Sequence, residues 1–85
     1  MGYNKELAEK QRYILSFIKE LVGCEMCRIS NATVLDYDHI QPSLKFENVS
    51  RMVGRYATLT ILREVAKCRV LCANCHRIHT EKQRK

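Results

Sequence analysis

The stretch "LCANCHRIHT", residues 71–80, holds two cysteines, two histidines and an asparagine. Its Cys72-x-x-Cys75 spacing has a match upstream, Cys24-x-x-Cys27 in "GCEMC". A CxxC turn points both sulfurs to the same side, so each pair can chelate one ion. Two pairs complete the closed tetrahedral set of thiolates that zinc favours, with Zn–S distances of about 2.3 Å. The expectation is a structural zinc that ties an N-terminal knuckle to the start of the last helix, with folding dependent on the metal.

Size points the same way. A chain of 85 residues hides only about 60% of the surface its unfolded form exposes, and small domains compensate with disulfides, a metal or oligomerisation. The five cysteines are an odd number, so a disulfide framework would leave one thiol over. Residues 1–22 carry Lys5, Glu6, Glu9, Lys10, Arg12, Lys19 and Glu20, too polar for the apolar core of a secretory signal. No uncharged apolar run approaches the roughly 20 residues of a membrane span. The expected setting is a reducing cytosol, where paired CxxC motifs favour metal over disulfide. One domain is expected over residues 1–85, with a helix in 1–23 packed on a zinc-bound core in 24–85.

The net charge of +6, from fifteen Lys and Arg against nine Asp and Glu, points to an anionic partner such as nucleic acid, although a solvated surface also uses lysine. The C-terminal "RIHTEKQRK" (77–85) offers Arg77, Lys82, Arg84 and Lys85. These could touch phosphates without reading a base sequence.

Working outward, "NKELAEKQRYILSFIKELV" (4–22) reads as an amphipathic helix with Asn4 as N-cap, Glu6 in its first turn and Gly23 as its stop. Leu7, Ile14, Ile18 and Leu21 share one face, with Phe17 and Tyr13 at its edge. The expected role of that stripe is core, the alternative a dimer or partner surface. "TVLDYDHI" (33–40) reads as a strand after a turn at Asn31. Residues 41–50 read as loop, since Pro42 biases Gln41 away from helix. Residues 55–67 read as a helix with Leu59, Leu62 and Val65 or Ala66 inward. "CRVLC" (68–72) reads as a second strand, and the last helix starts near Ala73. Cys68, on the same strand face as Val70, reads as a buried thiol outside the closed zinc set.

With four cysteines assigned, His76 and His79 lie one turn apart on the last helix, and Asp38 and His39 end a strand. Oxygen and imidazole groups of this kind suit a second divalent ion. Taken singly, an Asp-His pair at a strand end is usually a turn or a surface hydrogen bond, and a histidine after a zinc cysteine often only supports the cluster.

The order of these elements, "CEMC" at 24–27, "DHIQP" at 38–42 and "KCRVLCANCHRIHT" at 67–80, resembles the HNH endonuclease family in its small, zinc-containing phage or bacterial form. The resemblance spans about residues 24–80. It implies an α+β fold: a zinc-stabilised ββα-metal, treble-clef-like finger, here with an N-terminal helix and a helix inserted between the two strands. It also implies metal-dependent hydrolysis of a DNA phosphodiester, with His39 as general base and Asp38 and His76 holding a catalytic Mg²⁺, Mn²⁺ or Ni²⁺. His79 would be a third ligand or a phosphate contact. The family's middle asparagine, which braces the loop carrying the base, has no counterpart in "LREVAK" just before the second CxxC. Asn48 in "KFENVS" is the best substitute, and Asn74 lies too close to the zinc site.

The rival expectation is a zinc-finger-like binding or interaction module that keeps the cysteines without the reaction. A larger protein partner for targeting fits either reading, since no reader module is visible. A monomer would nick one strand, whereas double-strand cleavage needs a homodimer or two successive nicks.

Overall fold

The computed structural model describes residues 2–83. Helix α1 (Lys5–Val22) begins at Asn4, whose Oδ1 accepts the Leu7 N–H at 3.0 Å. It ends at Gly23, which adopts a φ of 71° and donates its N–H to the Lys19 carbonyl at 2.7 Å. Only glycine takes that left-handed conformation without strain.

The face that α1 buries is not the expected one. Ala8, Gln11 and Leu15 face the body, and Leu7 and Ile18 are half-buried. Tyr13, Phe17 and Leu21 are 75%, 56% and 71% exposed, and Ile14 is exposed with them. Periodicity groups residues on a common face; it does not say which face the rest of the chain can reach. Close approach decides it here. Gly54, at φ +77°, lies so near α1 that a Cβ there would come within 2.9 Å of the Ala8 Cβ. Gln11, 1% exposed, donates to the Tyr56 carbonyl (2.9 Å) and to Thr58 Oγ1 (3.1 Å), and its Oε1 accepts the Gly54 N–H (2.7 Å). A fully bonded amide can be buried at little net cost.

Strand β1 (Leu35–His39) follows a 3-10 turn at Ala32–Val34 that Asn31 caps through its side chain. The expected strand is therefore shortened at both ends. A second 3-10 turn, Pro42–Leu44, leads to the short helix α2 (Val49–Met52) and to α3 (Thr58–Val65). Helix α3 starts later than residue 55 because the chain first turns at Gly54, with Arg55 and Tyr56 both donating to the Met52 carbonyl. Its inward residues are Ile61 and Glu64. Leu59, expected inward, is 60% exposed, while Leu62 and Val65 are half-buried and Ala66 is exposed.

Strand β2 (Cys68–Cys72) pairs antiparallel with β1, from Leu35 opposite Cys72 to His39 opposite Cys68. Helix α4 (Ala73–Gln83) follows without a linker. The result is a small α+β fold: an N-terminal helix, two antiparallel strands with two helices between them in sequence, and a C-terminal helix.

Two hydrophobic clusters hold these elements. Ala8, Leu15, Val49, Met52, Val53 and Ile61 form one, and Leu35, Val70 and Leu71 pack with Cys24, Cys72 and Cys75 in the other. Tyr37 packs against both and donates its hydroxyl to the Leu15 carbonyl at 2.7 Å. No helix among the described residues is long and apolar enough to cross a membrane.

Candidate functional site

Cys24, Cys27, Cys72 and Cys75 converge as the two CxxC spacings predict. Their sulfurs all lie within 4.8 Å of one another, and Cys27 Sγ is 3.6 Å from Cys72 Sγ. A tetrahedron with Zn–S bonds of about 2.3 Å has S···S edges of about 3.8 Å, so the cluster fits a structural Zn²⁺. Each knuckle directs a backbone N–H at its own first sulfur: Cys27 N to Cys24 Sγ at 3.5 Å, and Cys75 N to Cys72 Sγ at 3.4 Å. The Glu25 N–H donates to the Val70 carbonyl at 2.9 Å, fastening the first knuckle to β2.

Burial would raise the Cys24 thiol. The backbone N–H groups of Cys27, Cys72 and Met26 outweigh it and bring the group down to about 6. Cys75 goes the other way, to about 12, because Cys72 and the other sulfurs crowd it in a buried site. Four thiols this close cannot all ionise without a cation among them. Cys68 lies outside the cluster. It donates to the Glu64 carbonyl at 3.5 Å and packs against the first hydrophobic cluster. Burial, with Glu64 and Asp38 nearby, pushes its thiol up to about 11.

Beside this centre, Asp38 Oδ1 lies 3.1 Å from His76 Nε2. The two side chains are within direct ion-pair range, with Asp38 mostly buried and His76 partly exposed. Among the described residues, the four-cysteine cluster is the one group of three or more convergent ligand side chains. Asp38 Oδ2 is engaged by Arg69 Nε at 3.3 Å. The same guanidinium reaches Glu25 Oε2 at 3.4 Å and donates to His79 Nε2. His79 is thus turned towards Arg69.

Alternation along β1 sends Asp38 and His39 to opposite faces, and His76 relates to both. It lies 3.1 Å from Asp38 Oδ1, and it lines with His39 a cleft of about 440 Å³ between α1, β1 and α2. Tyr37 and Asn48 also line this cleft, as do the basic Arg12 and Lys19. A second, more open groove along α4 includes Arg77 and shares Asp36 and His76 with the first. Arg77 and Lys82 are exposed; Arg84 and Lys85 lie outside the described residues.

His39 has a partner the sequence reading missed. Its Nε2 lies 2.8 Å from Glu64 Oε2, and the two side chains are 8% and 3% exposed. Glu64 Oε2 also accepts the Phe46 N–H at 2.9 Å, and Lys67 Nζ lies 2.9 Å from Oε1. Lys67 further donates to the Leu44 carbonyl at 3.1 Å. Glu64 and Lys67 thereby hold the loop after His39, the bracing expected of Asn48. Asn48 reaches the cleft, but its side chain makes no capping bond to α2. Burial would raise the Glu64 carboxyl, but Lys67, the Phe46 N–H and His39 outweigh it and bring the group down to about 2. A glutamate three residues after Ile61 on the apolar side of a helix was the available signal. For Arg69 it was the cross-strand position opposite Asp38.

Comparison of the chain with models of protein families, with curated proteins and with solved structures finds no match.

Proposed function

We propose that the protein is a metal-dependent DNA endonuclease of the HNH type, in which β1, β2 and α4 form a ββα-metal, treble-clef-like finger around a structural zinc. The observation that carries this reading is the Asp38–His76 pair, at 3.1 Å, with His76 also lining one cleft with His39. A module that only binds needs no carboxylate–imidazole pair beside a second imidazole that lines the same cleft.

In this reading Asp38 and His76 hold a divalent ion, which when bound supplies charge stabilisation for the phosphate and the leaving oxygen. His39 takes a proton from the attacking water. The water oxygen bonds to phosphorus, the P–O3′ bond breaks, and the 3′ oxygen is protonated from solvent, leaving a 5′-phosphate and a 3′-hydroxyl. Arg12 and Lys19 at the cleft, with Arg77 and Lys82 on α4, attract the backbone of DNA in a salt-dependent and largely sequence-independent way. One such centre per chain nicks one strand, and targeting is left to a larger protein partner or to a second copy.

The test is relaxation of supercoiled plasmid by zinc-loaded protein with Mg²⁺, Mn²⁺ or Ni²⁺, beside buffer without added ion. Nicking that requires the added ion and falls about 10²–10⁴-fold in folded His39→Ala supports the nuclease. Intact plasmid with every ion, together with DNA retardation in a gel, favours the non-catalytic binding module instead.

A further inference from the structure

We infer that Glu64 is a positioning residue that fixes the proton of His39 on Nε2, so that Nδ1 is the nitrogen left to accept a proton. The assignment of that nitrogen as the base rests on the nuclease reading above; the orientation of the ring does not.

The argument is one of donors and acceptors. Glu64 Oε2 sits 2.8 Å from His39 Nε2. The same oxygen already accepts the Phe46 N–H, and the other carboxylate oxygen accepts from Lys67. An ionised carboxylate has no proton to give, so in this contact Nε2 must be the donor. A neutral imidazole carries one N–H, and placing it on Nε2 leaves the lone pair on Nδ1. With Glu64 3% exposed, water does not compete for the carboxylate. The loop contact at Phe46 and the Lys67 ammonium hold it in place from two further directions. When Nδ1 takes a proton, the ring becomes an imidazolium whose Nε2–H still faces an anion, and the new charge is formed next to its counter-charge. Glu64 is 3% exposed and its carboxylate faces His39, Phe46 and Lys67. Its effect passes through His39.

The zinc-loaded protein gives the test by ¹H–¹⁵N NMR of its histidine side chains. The expected result is a slowly exchanging Nε2 proton on His39, with an unprotonated Nδ1. That proton should be lost to rapid exchange in Glu64→Ala while backbone dispersion is retained. Glu64→Gln, close to isosteric, is expected to keep its one oxygen as acceptor for Nε2–H while losing the charge and the acceptor for Lys67. It should lower kcat for plasmid nicking by roughly ten- to a hundredfold with KM for DNA little changed, and Glu64→Asp should recover part of that loss. A His39 proton on Nδ1, or a freely exchanging Nε2 proton in the folded wild type, overturns the inference. So does full kcat in folded Glu64→Ala. A protected Nε2 proton in a protein that never nicks DNA leaves the positioning intact and removes the nuclease reading.

Discussion

Asp38 and His76 are separated by two helices and a strand in the chain, and their side chains meet at 3.1 Å. The contact depends on the register that sets Asp38 opposite Arg69 and on α4 starting directly after β2. Arg69 holds one carboxylate oxygen and leaves the other for His76. If the proposed nuclease reading holds, Asp38→Asn and His76→Ala should each lower single-turnover nicking by about 10²-fold or more, as loss of a metal ligand would. Circular dichroism should show both variants folded with zinc bound.

Elemental analysis should find one zinc per chain. Stripping it with a strong chelator should abolish the near-ultraviolet dichroism and the cooperative thermal transition, because three of its four ligands also belong to a hydrophobic cluster. Cys72→Ser should lose the metal, and Cys68→Ala should keep the same stoichiometry.

Acid stability follows from Glu64. Its folded-state pKa, about 2 against an ordinary 4.5, lies below the unfolded value. The charged form therefore adds stability that is fully present above about 4.5 and lost as pH falls towards 2. Zinc thiolates are protonated in acid as well, so the useful quantity is the Tm difference between wild type and Glu64→Gln. That difference should favour wild type at neutral pH and narrow as pH falls through the window.

Leu15 and Leu21 lie on one helix and should respond oppositely to truncation. Leu15, 7% exposed inside the first cluster, should cost about 2–4 kcal/mol as Leu15→Ala. Leu21, 71% exposed, should change stability by no more than about 0.5 kcal/mol. Urea unfolding of both variants measures the contrast.

The metal centre was legible because four identical ligands at two matched spacings leave little freedom in how they converge. The strand at 68–72 and the helix from Ala73 were legible for a related reason: the second CxxC fixes where one stops and the other begins. The buried side of α1 was not. Its choice rests on Gln11 finding three partners between residues 54 and 58, and no periodicity encodes contacts over that separation. Glu64 was missed because a charged residue in a helix reads as solvent-facing until its long-range partners, here His39 and Phe46, are known. The groups expected around the catalytic ion were only partly brought together, since Arg69 engages His79.

Tyr37 also makes this protein optically convenient. The chain has no tryptophan and four tyrosines; Tyr3 and Tyr13 are exposed, while Tyr37 lies where the two clusters touch. Burial, with Cys68 nearby, raises its phenol from the ordinary 10 to about 12. Stability that depends on the neutral phenol is thus complete below pH 10 and lost as pH rises through 12. In an alkaline absorbance titration Tyr37 is expected as a late-rising tyrosinate, an internal reporter placed at the seam between the two clusters.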